Sequence, residues 1–315
     1  MSRITQAFVL GAGLGLRLRP LTEQRPKPLV PIFQKPLLTF ALDHLRSVGI
    51  ESFVINTHRL AEQFETAFPE RRYENSPVRL LHEPILLETG GGIKNAEPAL
   101  RAESFIVYSG DILTDLDLAP LLEEHLSAGN DVTLALRDTG LASGVALKNR
   151  RVIDIGNRSG HPGVHDFANI SIWNPSVFPR IPAAQKISFI PILGEWIGAG
   201  GRIGGVVLNE RKWFNIGSRA EYLEVHRVIA QDGWRPSYLT DRSWPLAVAP
   251  DAVIDPTARL TGFYAIGAGA RIGAEAVVQD TIVWPGAEIA SHSDVRNCIV
   301  RAQQKAAGTL RDTDV

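Results

Sequence analysis

Residues 10–28 read Leu-Gly-Ala-Gly-Leu-Gly-Leu-Arg-Leu-Arg-Pro-Leu-Thr-Glu-Gln-Arg-Pro-Lys-Pro and close the apolar run Ala7-Phe8-Val9-Leu10. A strand that runs into glycines predicts a tight turn, because glycine takes positive φ and lets a ligand approach the backbone. Successive peptide N–H groups in such a turn form a concavity that attracts anions. Arg17 and Lys27 add two full positive charges to the same segment, and Pro26 and Pro28 bracket Lys27. The stretch predicts a polyphosphate site. It follows neither common phosphate pattern. The glycines stand at 11, 13 and 15, which breaks the Gly-x-Gly-x-x-Gly spacing, and the Gly-x-x-x-x-Gly-Lys-Ser/Thr string is absent.

Working outward, short apolar runs at 7–10, 52–56, 78–82, 105–109 and 132–136 read as strands. Between them, 37–48, 60–68, 92–100 and 118–126 carry helical spacing, with Gly49 stopping the first of these helices. Strand and helix in alternation predict a mostly parallel sheet covered on both faces. Ligands of such sheets bind outside the carboxyl ends of the strands, where the glycine turn falls. Residues 143–240 are less regular, with strands expected at 144–147, 152–155, 168–173 and 203–208 and helices at 188–197 and 219–230.

After Trp244 the period becomes six: Val248, Ile254, Leu260, Ile266, Ile272, Val278 and Trp284 recur at that interval. Ala252, Ala258, Ala270 and Ala276 follow four residues later, and Gly267 and Gly273 follow two of the large residues directly. A large and a small residue alternating around triangular coils is the pattern of a left-handed parallel β-helix. The fold class is therefore α/β, a Rossmann-like, mostly parallel domain over residues 1–240, then a short left-handed parallel β-helix over 245–302, then a polar, frayed tail over 303–315. An open coil end and the aromatic Trp284 predict self-association through the β-helix.

Composition sets limits. Of 315 residues, 44% are apolar and 21% charged, as in globular proteins. A net charge of −1 provides no global field to recruit nucleic acid or an anionic membrane, so phosphate must be bound by local placement. Cys298 is the single cysteine, which excludes an internal disulfide and a cysteine metal cage. No charged n-region with a long apolar stretch opens the chain and no segment has bilayer-spanning length, so a cytoplasmic enzyme is expected.

The string Gly13-x-Gly15-x-Arg17-Leu18-x-Pro20-Leu21-Thr22, followed by Pro26-Lys27-Pro28, resembles the N-terminal signature of the sugar-1-phosphate nucleotidylyltransferases. The resemblance implies that the partners are a nucleoside triphosphate and a sugar 1-phosphate, that pyrophosphate is released, and that Mg2+ is the cofactor. It implies catalytic roles for Arg17, Lys27 and Asp111. It implies nucleotide contacts from Leu10, Gly11, Ala12, Gly13, Gly15, Leu16, Glu83, Glu88, Thr89, Gly90 and Gly110. Asp111 closes the apolar strand Val107-Tyr108-Ser109-Gly110 and resembles the family's metal carboxylate. The second metal position, Trp-x-Asp-x-Gly in the family, reads Trp213-Phe214-Asn215-Ile216-Gly217, so Asn215 offers an amide oxygen without charge. Leu14 and Leu16 stand where the family often has Lys and Thr or Ser.

On the sugar side, Ser143-Gly144-Val145 resembles an aromatic-Gly-Val strand whose glycine approaches the sugar. Asn169 lies in a segment that lines the sugar pocket. The Glu-Lys-Pro motif is missing, and Arg158 in Gly156-Asn157-Arg158 is its candidate replacement. The segment Leu87-Glu88-Thr89-Gly90-Gly91-Gly92 resembles the N-acetylmuramate-1-phosphate uridylyltransferases, whereas the β-helix resembles mannose-1-phosphate guanylyltransferases. UTP with N-acetylmuramate 1-phosphate, and GTP with mannose or heptose 1-phosphate, both stay open. The alternative from another class is a non-catalytic regulatory subunit that binds a nucleotide sugar, for which Asn215 and Leu16 argue. A β-helix acyltransferase would need an acyl-carrier site around His292, for which too few coils follow. His161 and His165 read as solvated loop residues.

Overall fold

A computed structural model describes residues 3–140 and 144–315. The chain divides into two compact units, Met1–Gly13 with Ala41–Trp213, and Leu14–Phe40 with Phe214–Val315. This boundary differs from the division near residue 240 that the change of period suggests. The signature segment from Leu14 onward groups with the β-helix, because its contacts are made by tertiary packing that a periodicity does not reveal.

The first unit is built on a ten-stranded sheet among the described residues. Its strand β1 (Gln6–Leu10) lies between β2 (Ser52–Thr57) and β5 (Phe105–Ser109), both parallel to it. Outside β2 come β4 (Ser76–His82) and the short β3 (Arg72–Tyr73). Outside β5 the order runs β9 (Asp166–Trp173), β6 (Val132–Arg137), β10 (Ile203–Val207), β8 (Arg151–Ile155) and β7 (Val145–Lys148). Strand β9 is antiparallel to both neighbours, so the sheet is mixed on this side. The chain leaves β1 toward β2 and β4, then returns to β5 on the opposite side of β1. That reversal opens a crevice at the carboxyl ends of β1 and β5.

Helices α1 (Leu37–Ser47), α2 (Ala61–Ala67), α3 (Glu88–Ala96), α4 (Ala119–Ala128) and α5 (Phe189–Gly198) fall near their expected places. Gly49 follows α1 with φ 91°, the left-handed ending that glycine permits. The helix expected at 92–100 instead starts at Glu88 and takes Gly90, Gly91 and Gly92 into its first turns. Glycine is a poor helix former, which is why the run reads as a loop. Here it is required by packing: a Cβ on Gly91 would stand 2.2 Å from the carbonyl oxygen of Gln185, and one on Gly90 2.9 Å from that of Ile187. Phe8, Val107, Leu134, Trp173, Phe189 and Leu193 belong to the core that joins sheet and helices in this unit. No helix among the described residues is long and apolar enough to cross a membrane.

In the second unit, α6 (Arg219–Gln231) packs on parallel strands stacked as in a short left-handed β-helix. Val253 pairs with Arg271, eighteen residues on, a coil of three hexads. Arg271 pairs with Glu288 and Glu288 with Lys305, each seventeen residues on. The missing residue is lost at corners where Asp280 and Asn297 take left-handed φ of 48° and 50°. The shorter corner moves the interior position from Trp284 to Val283, which joins Val278, Ile289, Val295 and Val300 in the coil core. Trp284 is 1% exposed and donates its indole N–H to Tyr222 Oη at 3.1 Å. It is thus neither a repeat position nor a surface for self-association. The expected frayed tail is also corrected: Lys305–Ala306 and Thr309–Arg311 pair with Glu288–Ile289 and Asp294–Arg296 and complete another coil. Polar side chains face outward there, so composition alone suggested disorder.

Three histidines are buried. His226 donates Nδ1–H to the carbonyl of Tyr222 (2.8 Å), so Nε2 accepts the N–H of Phe33 (3.4 Å). His44 Nδ1 lies 3.2 Å from the Tyr108 hydroxyl, and His125 Nδ1 2.9 Å from that of Thr133. Burial pushes all three imidazoles from 6.5 down to about 4. The fold holds the neutral form, so the stability this gives is complete above pH 6.5 and is lost as pH falls toward 4, where the unfolded chain binds protons first. Each histidine contributes roughly 2 kcal/mol between pH 7.5 and pH 5. Urea midpoints should therefore drop markedly over that interval, and a flat profile would contradict the neutral assignment.

Candidate active site

The site in the first unit begins where β1 ends. A Cβ on Gly11 would meet the carbonyl oxygen of Asn56 at 2.6 Å, so only glycine fits beside β2. Asn56 Oδ1 accepts the N–H groups of Gly11 (2.8 Å) and Ala12 (3.2 Å). Its amide donates to Glu83 Oε1 (2.7 Å), and Glu83 Oε2 accepts the N–H of Leu87 (3.0 Å). Asn56 and Glu83 are each 1% exposed. One buried strut thus ties the turn after β1 to the entry of α3. Gly11 and Ala12 spend their N–H groups on it, so they are not the anion donors that a run of glycines suggests. Gly13, in contrast, has open space where a Cβ would stand. Asn56 was not singled out from the sequence, although a polar residue directly after the apolar run Phe53-Val54-Ile55 was a readable signal.

A cleft of about 340 Å³ opens over this strut, lined among others by Leu10, Ala12, Asn56, Glu88, Thr89 and Asp111. Ser109, Leu86 and Ser188 also line it and were not foreseen. Gly110 donates its N–H to the carbonyl of Leu10 at 2.9 Å, which holds the turn bearing Asp111 against β1. Gly90 and Gly91 donate to the carbonyl of Ile187, and Thr89 Oγ1 accepts the N–H of Phe189. Glu88 stands at φ 60°, with Lys186 Nζ 3.6 Å from its carboxylate.

Gly144, Arg158 and Asn169 are not among the residues lining this cleft. Gly144 accepts the N–H of Gly156 at 2.6 Å, and Ser143 lies outside the described residues. The loop of Arg158 is gathered by Asp154, whose carboxylate accepts the N–H groups of Arg158 (2.8 Å), Ser159 (2.7 Å) and His161 (3.2 Å). Burial opposes the charge on Asp154, but these bonds together outweigh it and hold the carboxyl below its usual range. The stem of Arg158 crosses α5 at Gly194, where a Cβ would lie 2.8 Å from Arg158 Cδ. Asn169 adopts φ 62° in a bulge of β9, and the Trp213 indole donates to the neighbouring carbonyl of Ala168 at 2.9 Å.

The second unit holds Gly15, Leu16, Arg17, Lys27 and Asn215. Gly15 has φ 61°, and its carbonyl accepts the Thr22 hydroxyl at 2.9 Å. Leu14 and Leu16 are exposed. Ser218 caps α6 and Glu221 reaches back past it: Ser218 Oγ accepts the N–H of Glu221, and Glu221 Oε2 accepts both the N–H of Gly217 and the Ser218 hydroxyl, each at 2.9 Å. A Cβ on Gly217 would stand 2.9 Å from Arg17 Nη2 and 3.1 Å from Glu221 Oε2. The last glycine of Trp213–Gly217 therefore makes room for the guanidinium. Asn215 Oδ1 is buried without a hydrogen-bond partner, which suits an oxygen that awaits a cation. No group of three or more His, Cys, Asp or Glu side chains among the described residues could hold a metal by itself. A cation here would need substrate oxygens, as Mg2+ commonly does.

Two substitutions test these placements. Asn56→Ala strands two N–H groups and a buried carboxylate oxygen, and should lower stability by on the order of 3 kcal/mol in urea unfolding. Gly217→Ala should displace Arg17 and reduce turnover at least about ten-fold with little loss of stability. Unimpaired turnover in that variant would separate Gly217 from Arg17.

The sequence pattern of the nucleotidyl transferase family matches residues 6–232. Mannose-1-phosphate guanylyltransferase of Mycobacterium tuberculosis is 30% identical over 291 residues, covering 90% of this chain and 80% of that protein. N-acetylmuramate alpha-1-phosphate uridylyltransferase of Neisseria meningitidis is 32% identical over 207 residues, covering 60% and 83%. The inositol-1-phosphate CTP transferase structure from T. maritima superposes with a TM-score of 0.59 at 18% identity, over 72% of this chain and 97% of that one, a likeness of fold. With the strand switch, the cleft and the signature turn in place, the chain belongs to the nucleotidyl transferase family and is a sugar-1-phosphate nucleotidylyltransferase, which makes a nucleoside-diphosphate sugar and pyrophosphate.

Proposed function

We propose that the cleft at the ends of β1 and β5 receives the nucleoside triphosphate, and that Arg17, Lys27 and Asp111 carry the substitution at its α-phosphorus. The supporting observation is that Leu10, Ala12 and Asp111, from two strands that part at the switch in strand order, line one cleft. A phosphate oxygen of the sugar 1-phosphate attacks the α-phosphorus. The new P–O bond forms as the bond to the β-phosphate oxygen breaks, and pyrophosphate leaves in line. The nucleophile is already anionic, so no side-chain base is needed. Arg17 forks onto phosphate oxygens, and Lys27 offsets charge that builds between the reacting groups. Gly13 and Gly15 bring the backbone, with that of Leu16, close to the phosphates. Glu88, Thr89, Gly90 and Gly110 shape the nucleotide pocket, and Glu83 acts on it through Asn56. Gly144, Arg158 and Asn169 serve the sugar.

Asp111 and Asn215 are the oxygens we assign to Mg2+, one charged and one neutral, both of the hard type this ion takes. When bound, the ion neutralises phosphate charge. The preferred substrates are GTP and a mannose- or heptose-type 1-phosphate. Likeness to the M. tuberculosis guanylyltransferase spans 90% of the chain, which must include part of the β-helix, whereas that to the uridylyltransferase spans 60%. UTP with N-acetylmuramate 1-phosphate is the second reading, favoured by the Leu87–Gly92 string. Such substrates are cytoplasmic metabolites, and we place the enzyme there.

Pyrophosphate release across a panel of triphosphates and sugar 1-phosphates decides between these pairs. Turnover with GTP and mannose or heptose 1-phosphate is expected, and Lys27→Ala should abolish it while the protein stays folded. Silence across the whole panel, together with tight binding of a nucleotide sugar, would point instead to a regulatory subunit.

A further inference from the structure

Lys27 sits in a single turn, Lys27–Leu29, whose own bonds run from Leu29 N–H to the carbonyl of Pro26 (2.8 Å) and from Val30 N–H to that of Lys27 (3.2 Å). One turn cannot hold its shape in water, so its geometry must come from what grips its ends. Downstream, three aromatic side chains of the same unit hold consecutive residues. The Tyr222 hydroxyl donates to the carbonyl of Pro31 at 2.6 Å, the Trp244 indole donates to that of Ile32 at 3.1 Å, and His226 accepts the N–H of Phe33. Upstream, Gln24 donates to the carbonyl of Ala302 in the β-helix at 3.3 Å, and the Arg25 guanidinium lies 5.8 Å from the centre of the Trp284 ring.

Trp284 is common to both grips. Its ring underlies Arg25, and its N–H donates to Tyr222 Oη at 3.1 Å. Indole nitrogen can only donate, so the Tyr222 oxygen accepts there and its one proton goes to Pro31. The relay runs one way, from coil to helix to Lys27 turn. Tyr222 is fully buried and Trp284 is 1% exposed, so water cannot replace a bond that is lost. We propose that Trp284 and Tyr222 are positioning residues for Lys27, and that the β-helix is thereby part of the catalytic scaffold. The proposal rests on the reading that Lys27 acts on the reacting phosphates.

The test compares Lys27→Ala, Tyr222→Phe, Trp284→Phe and the double Tyr222→Phe/Trp284→Phe in the full chain. Pyrophosphate release is measured well below each variant's melting temperature. Tyr222→Phe should lower kcat about ten-fold with KM for both substrates nearly unchanged, because binding groups stay while the charge is misplaced. Trp284→Phe should have a smaller effect in the same direction, and the double variant should match Tyr222→Phe, since Phe keeps an aromatic ring beneath Arg25 and the lost indole N–H acts only through the hydroxyl. A relay that merely stabilises the unit would lower the melting temperature and leave kcat at the wild-type value, which would overturn the proposal. So would additive effects in the double variant. If Tyr222→Phe fails to fold, Trp284→Phe decides by the same kcat and KM criteria. Full turnover in Lys27→Ala would bring down both the proposal and the reading of Lys27. An inactive Lys27→Ala beside wild-type kcat in the aromatic variants would bring down the relay alone.

Discussion

The side-chain oxygen of Asn56 accepts two peptide N–H groups from the turn after β1, and the rest of the cleft depends on that pair of bonds. A strand end is ordinarily free to fray or bend. Here its first two turn residues are anchored to the neighbouring strand by a buried amide, which is itself anchored by Glu83. Because Glu83 also holds Leu87, the turn after β1 and the start of α3 cannot move independently. The two segments that border the cleft are thereby held by buried hydrogen bonds.

The glycines of this chain answer to different constraints. Gly11 is excluded from having a side chain by the backbone of Asn56 and Gly91 by that of Gln185, whereas a Cβ on Gly217 would push the guanidinium of Arg17 aside. A Cβ on Gly13 would meet no atom within 4 Å, so packing does not require glycine there. The same residue type thus marks a close contact in three places and open space in one. A net charge of −1 makes such local placement necessary, since no overall field draws a polyphosphate in.

The second unit binds the signature segment to an element that looks separate in the sequence. Its repeat shortens by one residue at two corners, and this slip turns Trp284 from the coil interior toward Tyr222. An interior aromatic would have been only filler for the coil. Facing α6, it becomes the first donor of a relay that finishes at the carbonyl of Pro31. The strands at Lys305–Ala306 and Thr309–Arg311 give the coil its final layer, and Arg219 on α6 pairs with Asp314 beyond them at 2.7 Å.

Local patterns in the chain determined the alternating strands and helices, the coil repeat, the signature turn with Arg17 and Lys27, and the strand that delivers Asp111. Each of these is written in residues close together, where periodicity and glycine chemistry act directly. Tertiary structure alone decided that Gly90, Gly91 and Gly92 lie inside a helix, that Asn56 braces the turn, that residues 14–40 group with the β-helix, and that Lys305–Ala306 and Thr309–Arg311 pair as strands where a tail was expected. The reason is physical. These features are set by atoms far apart in sequence, a carbonyl at Gln185 or a hydroxyl at Tyr222, whose approach carries no local signature in a single chain.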